Sequence, residues 1–130
     1  MKNDYEGTTV ALLNGVYYRT LQDAVNKAVE GDEIKVLRSV QEDINIRHDK
    51  KFKINLNKHS ITGTMTNEGE VEINNGSIQA FENPALINNG TFIMGSDDGE
   101  VSSTNIRIVS EVKAVENNGT FKMYDGYIQG

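Results

Sequence analysis

The sequence has no cysteine and only one proline, and both scarcities restrict the fold. Without cysteine, the 130-residue chain has neither disulfide bonds nor thiolate metal sites. The absence does not indicate whether the protein works in an oxidising or a reducing compartment. The single proline, Pro84, contrasts with 12 glycines. Glycine and the abundant asparagine supply the positive φ angles that tight turns require. The composition therefore favours short strands joined by tight turns.

Basic clusters and long apolar segments are missing as well. The chain carries 13 basic and 19 acidic residues, which gives a net charge of -6. An acidic chain without a basic cluster is poorly suited to nucleic acid or to an anionic membrane surface. No apolar run approaches the roughly 18 residues of a membrane-spanning helix. The sequence predicts neither nucleic-acid binding nor membrane insertion.

The N-terminal stretch Met1–Gly7 lacks the apolar segment of a signal peptide. Residues 1–8 are expected to be a disordered or artificially added tail. Two interpretations stay open: the protein is cytosolic, or the chain is a piece of a longer exported protein and carries an added start methionine.

A β-hairpin is predicted at the start of the folded part. Asn14-Gly15 separates the apolar runs Val10–Leu13 and Val16–Tyr18. An Asn-Gly pair between two such runs is a strong hairpin signal, because both residues tolerate positive φ.

One amphipathic helix is predicted after the hairpin. Thr20 suits the N-cap position, and Asp23 three residues later resembles a capping box. Five apolar residues recur at helical spacing: Leu21, Ala24, Val25, Ala28 and Val29. They predict a helix of about three turns that ends at Gly31.

An asparagine–glycine repeat follows in three copies, each leading into an apolar strand. The copies are Asn67–Gly69, Asn88–Gly90 and Asn117–Gly119, so their glycines are 21 and then 29 residues apart. About three short strands in a period of roughly 20 to 30 residues are typical of one coil of a parallel β-helix. Neighbouring coils would stack about 4.8 Å apart, so asparagine would lie over asparagine in a hydrogen-bonded ladder.

The apolar residues after the helix group into three strand tracks, in which one coil stacks on the next. The first track comprises Ile34, Ile61, Ile78, Val101 and Ile128. The second comprises Ile44, Ile87 and Val115, with Met65 as a weaker candidate for the remaining coil. The third comprises Phe52–Leu56, Val71–Ile73, Phe92–Met94 and Phe121–Met123. These tracks predict about four coils around a continuous apolar core.

The assignments divide the chain after its N-terminal tail into two parts. Residues 9–33 are the N-terminal hairpin and capping helix, and residues 34–130 are the β-helix coils. The longer second interval predicts an insertion near residues 102–113, in which Ile106, Ile108 and Val112 alternate as in a strand. The predicted fold class is mostly β: a right-handed parallel β-helix with an N-terminal β-hairpin and one capping α-helix.

Four segments carry a resemblance to a known family. Residues 17–37 resemble a helical cap and first strand, residues 51–63 resemble the opening coils, and residues 88–101 and 117–128 resemble later coil repeats. Over residues 9–130 the chain resembles the N-terminal capped portion of pectate-lyase-like right-handed parallel β-helix domains of Gram-positive bacterial surface proteins. Such domains usually continue for many coils and end in a C-terminal cap, and no such cap is visible here. The resemblance implies a fold more than an activity, since this solenoid serves lyases, hydrolases, adhesins and spacers.

Two groups of residues suggest metal or acid–base chemistry, and each has a simpler structural interpretation. Asp97, Asp98 and Glu100 are clustered carboxylates that suit calcium, although a solvated turn explains them equally well. His48 and His59 are the two histidines, and they lie in predicted polar turns without motif partners. We expect no catalytic residue and no cofactor, with calcium as the remaining alternative.

Glu70 and Glu72 form a further candidate pair of carboxylates. Glu70 and Glu72 would point outward from one strand about 7 Å apart, a separation that fits the paired carboxylates of a glycosidase. A solvated strand face is the favoured interpretation. Polysaccharide lyases of this fold family use acidic calcium ligands plus a basic residue, and no matching set is recognised here.

Aromatic residues divide into core and surface candidates. The phenylalanines Phe52, Phe92 and Phe121 occupy predicted core positions. The candidates for exposed contacts are Tyr5, Tyr17, Tyr18, Tyr124 and Tyr127.

Three functional hypotheses follow. The favoured one is a non-enzymatic β-solenoid module of a bacterial cell-surface or secreted protein, which acts as a stalk, adhesin or glycan-binding platform and has an extracellular glycan or protein as partner. The second is an N-terminal fragment of a polysaccharide lyase or glycoside hydrolase whose site lies beyond residue 130. The third is a structural protein that self-associates end to end through an uncapped C-terminal coil.

Overall fold

The computed structural model describes residues 9–96 and 106–130, which form sixteen strands and one helix. The helix is α1 (Leu21–Lys27). The strands are β1 (Ala11–Leu13), β2 (Val16–Tyr18), β3 (Glu33–Val36), β4 (Val40–Gln41), β5 (Ile44–Ile46), β6 (Lys51–Asn55), β7 (Ser60–Thr62), β8 (Met65–Asn67), β9 (Glu70–Asn74), β10 (Gly76–Ala80), β11 (Leu86–Asn88), β12 (Thr91–Met94), β13 (Ile106–Ser110), β14 (Val115–Asn117), β15 (Thr120–Met123) and β16 (Tyr127–Gln129). The prediction of a mostly β chain with one helix is confirmed for these residues.

The strands form three sheets that the chain visits in turn. Sheet A has the order β15-β12-β9-β6-β3-β1-β2, sheet B the order β16-β13-β10-β7-β4, and sheet C the order β14-β11-β8-β5. From β3 onward, the described strand pairings are parallel, and each joins a strand to its counterpart in the preceding round of the chain. Residues of one round therefore stack directly on those of the next.

The third strand track is confirmed as the apolar column inside sheet A. Phe52 pairs in register with Val71, which pairs with Phe92, which pairs with Phe121. The rings of Phe92 and Phe121 stack with their centroids 5.5 Å apart and their planes 11° apart. Such offset stacking adds to the hydrophobic stabilisation of the column.

The first strand track is wrong at its start. Ile34 pairs with Ile54 in sheet A, and Val40 begins the sheet B column by pairing with Ile61. The reason is that β1 of the hairpin pairs with β3 and so places β3 at the N-terminal end of sheet A. The sheet B column then continues through Ile61, Ile78, Ile108 and Ile128.

The predicted insertion near residues 102–113 also needs correction. Ile106–Ser110 forms β13, whose five residues pair with Gly76–Ala80 of β10, so the centre of that segment belongs to sheet B. Ile108 takes the place assigned to Val101, which lies outside the described residues, as do residues 102–105. Val112 is exposed in the turn that follows.

The second track is shifted by one residue in one coil. Met65 pairs with Leu86 and Leu86 with Val115, so Leu86 and not Ile87 faces the core. Met65 pairs with Ile44, which confirms its assignment to this track. Side chains alternate between the two faces of a strand, so a one-residue shift places Ile87 on the outer face.

The hairpin is formed as predicted. Asn14 and Gly15 have φ angles of 51° and 82°, which a two-residue type I′ turn requires of both central residues. Leu13 and Val16 face each other at the turn, and Ala11 faces Tyr18 at the open end.

Helix α1 begins as predicted but ends earlier. Thr20 accepts a hydrogen bond from the Asp23 backbone N–H at 3.1 Å, which confirms the N-cap. Ala28 is already extended at the C-cap, so the helix has two turns and Val29 is exposed. Lys50 supplies the reason, because its Nζ donates to the carbonyls of Asn26 and Ala28, each at 2.8 Å. Gly31, which was predicted to end the helix, lies in the turn beyond it with a φ of 91° and does not cap it.

Helix α1 also closes the N-terminal edge of sheet C. The Gln22 side chain accepts from the Asn45 backbone N–H at 2.7 Å and donates to the Asn45 carbonyl at 2.9 Å. The side-chain amide thus makes the two hydrogen bonds that a neighbouring strand would make to Asn45. The hairpin covers the corresponding edge of sheet A through the pairing of β1 with β3.

A ladder of three asparagines runs along the turn between sheets C and A, as the repeat predicts. Asn67 Nδ2 donates to Asn88 Oδ1 at 2.9 Å, and Asn88 Nδ2 donates to Asn117 Oδ1 at 2.8 Å. Each Oδ1 also accepts from the backbone N–H of the glycine two residues on. Asn67 and Asn88 are fully buried, so these bonds offset the cost of desolvating two amides.

The glycines of the repeat are required by space and not by unusual backbone angles. A Cβ on Gly90 would lie 2.2 Å from the Gly69 carbonyl oxygen, and a Cβ on Gly119 would lie 2.2 Å from that of Gly90. Each turn therefore packs its backbone directly on the turn before it.

The core columns predict that replacing two phenylalanines, one buried and one exposed, has very different effects on the free energy of unfolding. Phe92 has no exposed surface, whereas Phe81 is 54% exposed in a turn. Phe92→Ala should lower the free energy of unfolding by about 3–5 kcal/mol, since it leaves a cavity between Val71 and Phe121. Phe81→Ala should change it by no more than about 0.5 kcal/mol. Urea denaturation of both variants measures this, and equal losses would contradict the assigned columns.

The ladder also predicts that the same substitution lowers stability much more at Asn88 than at the adjacent Asn89. Asn88→Asp places an oxygen against the Thr120 carbonyl, which Asn88 Nδ2 contacts at 2.8 Å, and buries a charge. We expect a loss of about 3–5 kcal/mol at pH 7. Asn89→Asp, with the same change in charge, should be nearly neutral because Asn89 is exposed and its Oδ1 accepts from Asn118 Nδ2, a hydrogen bond that a carboxylate oxygen also accepts.

The pH dependence of Asn88→Asp has a definite sign. Burial raises the pKa of the introduced carboxyl in the folded state, so the loss of stability grows as pH rises past its unfolded pKa of about 3.9. The difference between the two aspartate variants should therefore be smaller at pH 3 than at pH 7 in urea denaturation. A difference that does not depend on pH would contradict burial of the ladder.

Candidate functional site

The paired carboxylates Glu70 and Glu72 lie on the outer face of sheet A, as predicted. Glu70 faces Lys51 and Glu72 faces Lys53 in the neighbouring strand β6. Opposite charges in register stabilise a sheet pair. A shallow cavity of about 180 Å³ runs beside them, lined by Glu30, Gly31, Lys51, Phe52, Lys53, Glu70, Glu72 and Ile93. Each carboxylate therefore has a lysine of β6 as its register neighbour on one side and an uncharged residue of β12, Thr91 or Ile93, on the other.

The carboxylates of Glu42 and Asp43 accept hydrogen bonds from backbone N–H groups of the fold. The two carboxylate oxygens of Glu42 accept from the backbone N–H groups of Leu21 and Gln22, at 2.8 and 3.1 Å. Asp43 Oδ1 accepts from the Thr64 backbone N–H at 2.9 Å. Glu42 thus neutralises the orphan donors and the positive end of helix α1.

The two histidines lie in separate turns. His48 is exposed beside Asp49, which pairs with Arg47 at 3.4 Å. Desolvation acts to raise the pKa of Asp49, but the Arg47 charge and hydrogen bonds outweigh it, so this pKa is lowered below its usual value. His59 precedes β7, and its backbone carbonyl accepts from Ser77 at 3.1 Å.

The candidate calcium ligands Asp97, Asp98 and Glu100 lie outside the described residues. Within residues 9–96 and 106–130, no three His, Cys, Asp or Glu side chains are grouped so that they could hold a metal ion.

Among the described residues, three of the four tyrosines are exposed, and the phenylalanines of the columns pack in or against the core. Tyr17, Tyr124 and Tyr127 are exposed, whereas Tyr18 is partly buried. Phe52 and Phe92 are buried, and Phe121 packs against the core from the last coil. Tyr5 lies outside the described residues.

The outer face of sheet B is the feature that the sequence did not reveal. Its outward side chains, here called the sheet B face, come from five parallel strands in two rows. They are Gln41, Thr62, Gln79, Val109 and Gln129 in one row and Ser60, Ser77, Arg107 and Tyr127 in the other. These nine side chains include amides, hydroxyls and one aromatic ring, and none of them is a carboxylate.

Hydrogen bonds hold several of these side chains in place along the sheet. Ser60 Oγ and Ser77 Oγ are 2.8 Å apart, and Gln79 Nε2 donates to Thr62 Oγ1 at 3.1 Å. At the C-terminal end of the face, the Arg107 guanidinium lies 5.3 Å from the centre of the Tyr127 ring. The face therefore presents fixed donors and acceptors beside an oriented aromatic group.

Sequence reasoning missed this face for an identifiable reason. Its outer residues follow from the inner column Val40–Ile61–Ile78–Ile108–Ile128, and the predicted track began at Ile34 and passed through Val101. Arg107 and Val109 were placed in an insertion. The alternation of Ile106 with Ile108 indicated a strand in this segment, but it did not indicate that the strand pairs with β10 in the sheet B column.

No protein-family model, curated protein or solved structure matches the chain. In the part of the chain that the structure describes, helix α1 is too short and too polar to cross a membrane.

Proposed function

We propose that the chain is a right-handed parallel β-helix of about four coils, similar to the N-terminal portion of pectate-lyase-like domains, with the hairpin and helix α1 as its N-terminal cap. The support is the fixed order in which the chain visits sheets A, B and C from β3 onward, with parallel pairing at each return. The right-handed sense rests on the general preference of parallel crossover connections for that hand.

The function that this geometry supports best is a non-enzymatic binding module of a bacterial cell-surface or secreted protein, and its ligand is an extracellular neutral glycan. The observation that carries this proposal is the sheet B face. Sugar hydroxyls need neighbouring donors and acceptors, and the amides and hydroxyls there supply both. The exposed ring of Tyr127 adds an apolar surface on which a sugar ring can pack.

Charge favours a neutral ligand over an acidic one. The chain has a net charge of -6, so a polyanion such as pectate is repelled at a distance. On the sheet B face, the single charged group is Arg107, and it is engaged by Tyr127. A stalk or adhesin role uses the same rigid stack of coils and differs only in what the surface contacts.

The other acidic groups are better explained by structure than by catalysis. Glu42 binds the start of helix α1, and Glu70 and Glu72 face the lysines of β6 in register on sheet A. A glycosidase also uses two carboxylates that face one cleft, but the cavity beside Glu70 and Glu72 is shallow and is shared with Lys51 and Lys53, which face them in register.

Two substitutions test the glycan proposal. Gln79→Ala and Tyr127→Ala should each weaken binding to neutral polysaccharides by at least about tenfold, which is about 1.4 kcal/mol. The measurement is affinity electrophoresis with hydroxyethylcellulose, galactomannan and xylan, and with polygalacturonate as the acidic comparison.

Two matched controls lie away from the face. Tyr124→Ala removes an equally exposed ring near the same end, and Lys53→Ala changes the outer face of sheet A. Both should bind as the unaltered protein does. The proposal is wrong if no neutral polysaccharide retards the protein, or if Lys53→Ala and Tyr124→Ala weaken binding as much as the two test variants.

A further inference from the structure

The sequence contains four Asn-Gly pairs, at residues 14–15, 75–76, 89–90 and 118–119. Asparagine before glycine readily loses its side-chain amide, because the glycine has no side chain to shield its backbone nitrogen. The reaction requires that this nitrogen be free and that the Cγ atom of the asparagine be able to reach it. The structure therefore determines which of the four pairs can react.

The pair Asn89-Gly90 is held on both sides of the reacting atoms. The Gly90 N–H donates to the Asn67 carbonyl at 3.0 Å and lies 3.3 Å from Asn88 Oδ1. The side-chain oxygen of Asn89 accepts from Asn118 Nδ2 at 2.9 Å. These contacts belong to the stacked turns between sheets C and A, so they must break before the Gly90 nitrogen can reach Asn89.

The pair Asn118-Gly119 is held by equivalent contacts in the next coil. The Gly119 N–H donates to Asn117 Oδ1 at 3.3 Å. Asn118 donates its backbone N–H to the Asn88 carbonyl at 2.7 Å, and its Nδ2 donates to Asn89. The side chain and the backbone of Asn118 are thus both bonded to the preceding turn.

The pair Asn75-Gly76 is packed against the preceding coil in the turn between sheets A and B. Asn75 Nδ2 donates to Asn55 Oδ1 at 3.3 Å, and its carbonyl accepts from the Lys58 N–H at 2.6 Å. A Cβ on Gly76 would lie 2.4 Å from the His59 carbonyl oxygen. The backbone around Gly76 therefore cannot rotate without moving the neighbouring coil.

The pair Asn14-Gly15 differs from the other three because it lies exposed at the tip of the β1–β2 hairpin. No described atom lies within 4 Å of the position that a Cβ on Gly15 would take. Within residues 9–96 and 106–130, the Gly15 N–H makes no hydrogen bond. Asn14 Nδ2 donates to Asp32 Oδ1 at 3.3 Å, a long and exposed hydrogen bond that water can replace.

We propose that Asn14 is a modification site, at which the folded chain converts without an enzyme to aspartate and isoaspartate. The Gly15 nitrogen gives its proton to solvent base and forms a bond to the Asn14 Cγ. The bond from Cγ to Nδ2 breaks, and the amide leaves as ammonia with a proton from water. Water then opens the resulting cyclic imide at Cγ, which gives aspartate, or at the backbone carbonyl carbon, which gives isoaspartate. The proposal does not depend on glycan binding, because the hairpin lies outside the sheet B face.

The two products should affect the N-terminal cap differently. Aspartate tolerates the positive φ of 51° at position 14, although its carboxylate then faces Asp32 without the lost donor. Isoaspartate adds a methylene group to the backbone of a tight turn, so the register in which Leu13 faces Val16 is lost. Because β1 also pairs with β3, the isoaspartate form should loosen the cover over the N-terminal edge of sheet A.

Tandem mass spectrometry of proteolytic peptides, sampled while the folded protein is stored in mildly alkaline buffer, measures all four pairs together. Asn14 should deamidate at least about tenfold faster than Asn75, Asn89 or Asn118, because an engaged N–H reacts only after local opening. The control is the same protein unfolded in guanidinium chloride, in which the four rates should become similar. The proposal is overturned if another pair reacts first in the folded protein, or if the unfolded chain shows the same preference for Asn14.

Amide hydrogen exchange tests the effect on the cap. The isoaspartate form, separated by chromatography after storage, should exchange at least about tenfold faster in β1, β2 and β3 than the fresh protein. Asn14→Gly keeps a residue that adopts positive φ but has no amide to lose, so the same storage should leave its exchange unchanged. Asn14→Asp reproduces the other product and should raise exchange less than isoaspartate does. Unchanged exchange in the isoaspartate form, or an equal rise in stored Asn14→Gly, would contradict the proposed effect.

Discussion

Parallel stacking in strict register is the constraint on which the rest of the structure depends. The turn between sheets C and A is held in the same register from each round of strands to the next. The ladder Asn67–Asn88–Asn117 and the glycines two residues after each asparagine hold it there. Because a register shift of one residue would reverse every side chain, this turn decides which residues enter the core. The columns of sheet A, with Phe92 stacked on Phe121, follow from it.

The sequence predicted the features whose causes lie within a few residues of each other. The Asn14-Gly15 hairpin, the Thr20 cap and the asparagine ladder depend on local turn chemistry repeated at a readable interval. The end of helix α1 depended on Lys50, which reaches the carbonyls of Asn26 and Ala28 from more than twenty residues away. Leu86 and Ile87 are adjacent and both apolar, so alternation alone could not assign one of them to the core.

For the candidate site as well, the sequence predicted what depends on single residues and missed what depends on strand pairing. Sequence reasoning singled out Glu70, Glu72 and the histidines because acidic groups and imidazoles carry recognisable chemistry. The sheet B face consists mainly of amides and hydroxyls, with Arg107, Val109 and Tyr127, and these residues form no motif along the chain. They come together only because strands separated by 17 residues or more pair in parallel, as Ser60 with Ser77 and Thr62 with Gln79. Such a surface is visible only after the register is known.

The two ends of the stack solve the problem of free strand edges in different ways. At the N-terminal end, the hairpin pairs with β3, and one glutamine amide imitates a strand against Asn45. A side chain can do this because the N–H and the carbonyl that Gln22 bonds both belong to Asn45. At the C-terminal end, three edges, an amide donor and partly exposed Met123 and Ile128 remain, and no single side chain could satisfy them together. One glutamine side chain satisfies one residue of a strand edge, whereas three edge strands each present several backbone donors and acceptors, so the two ends of the stack have different requirements.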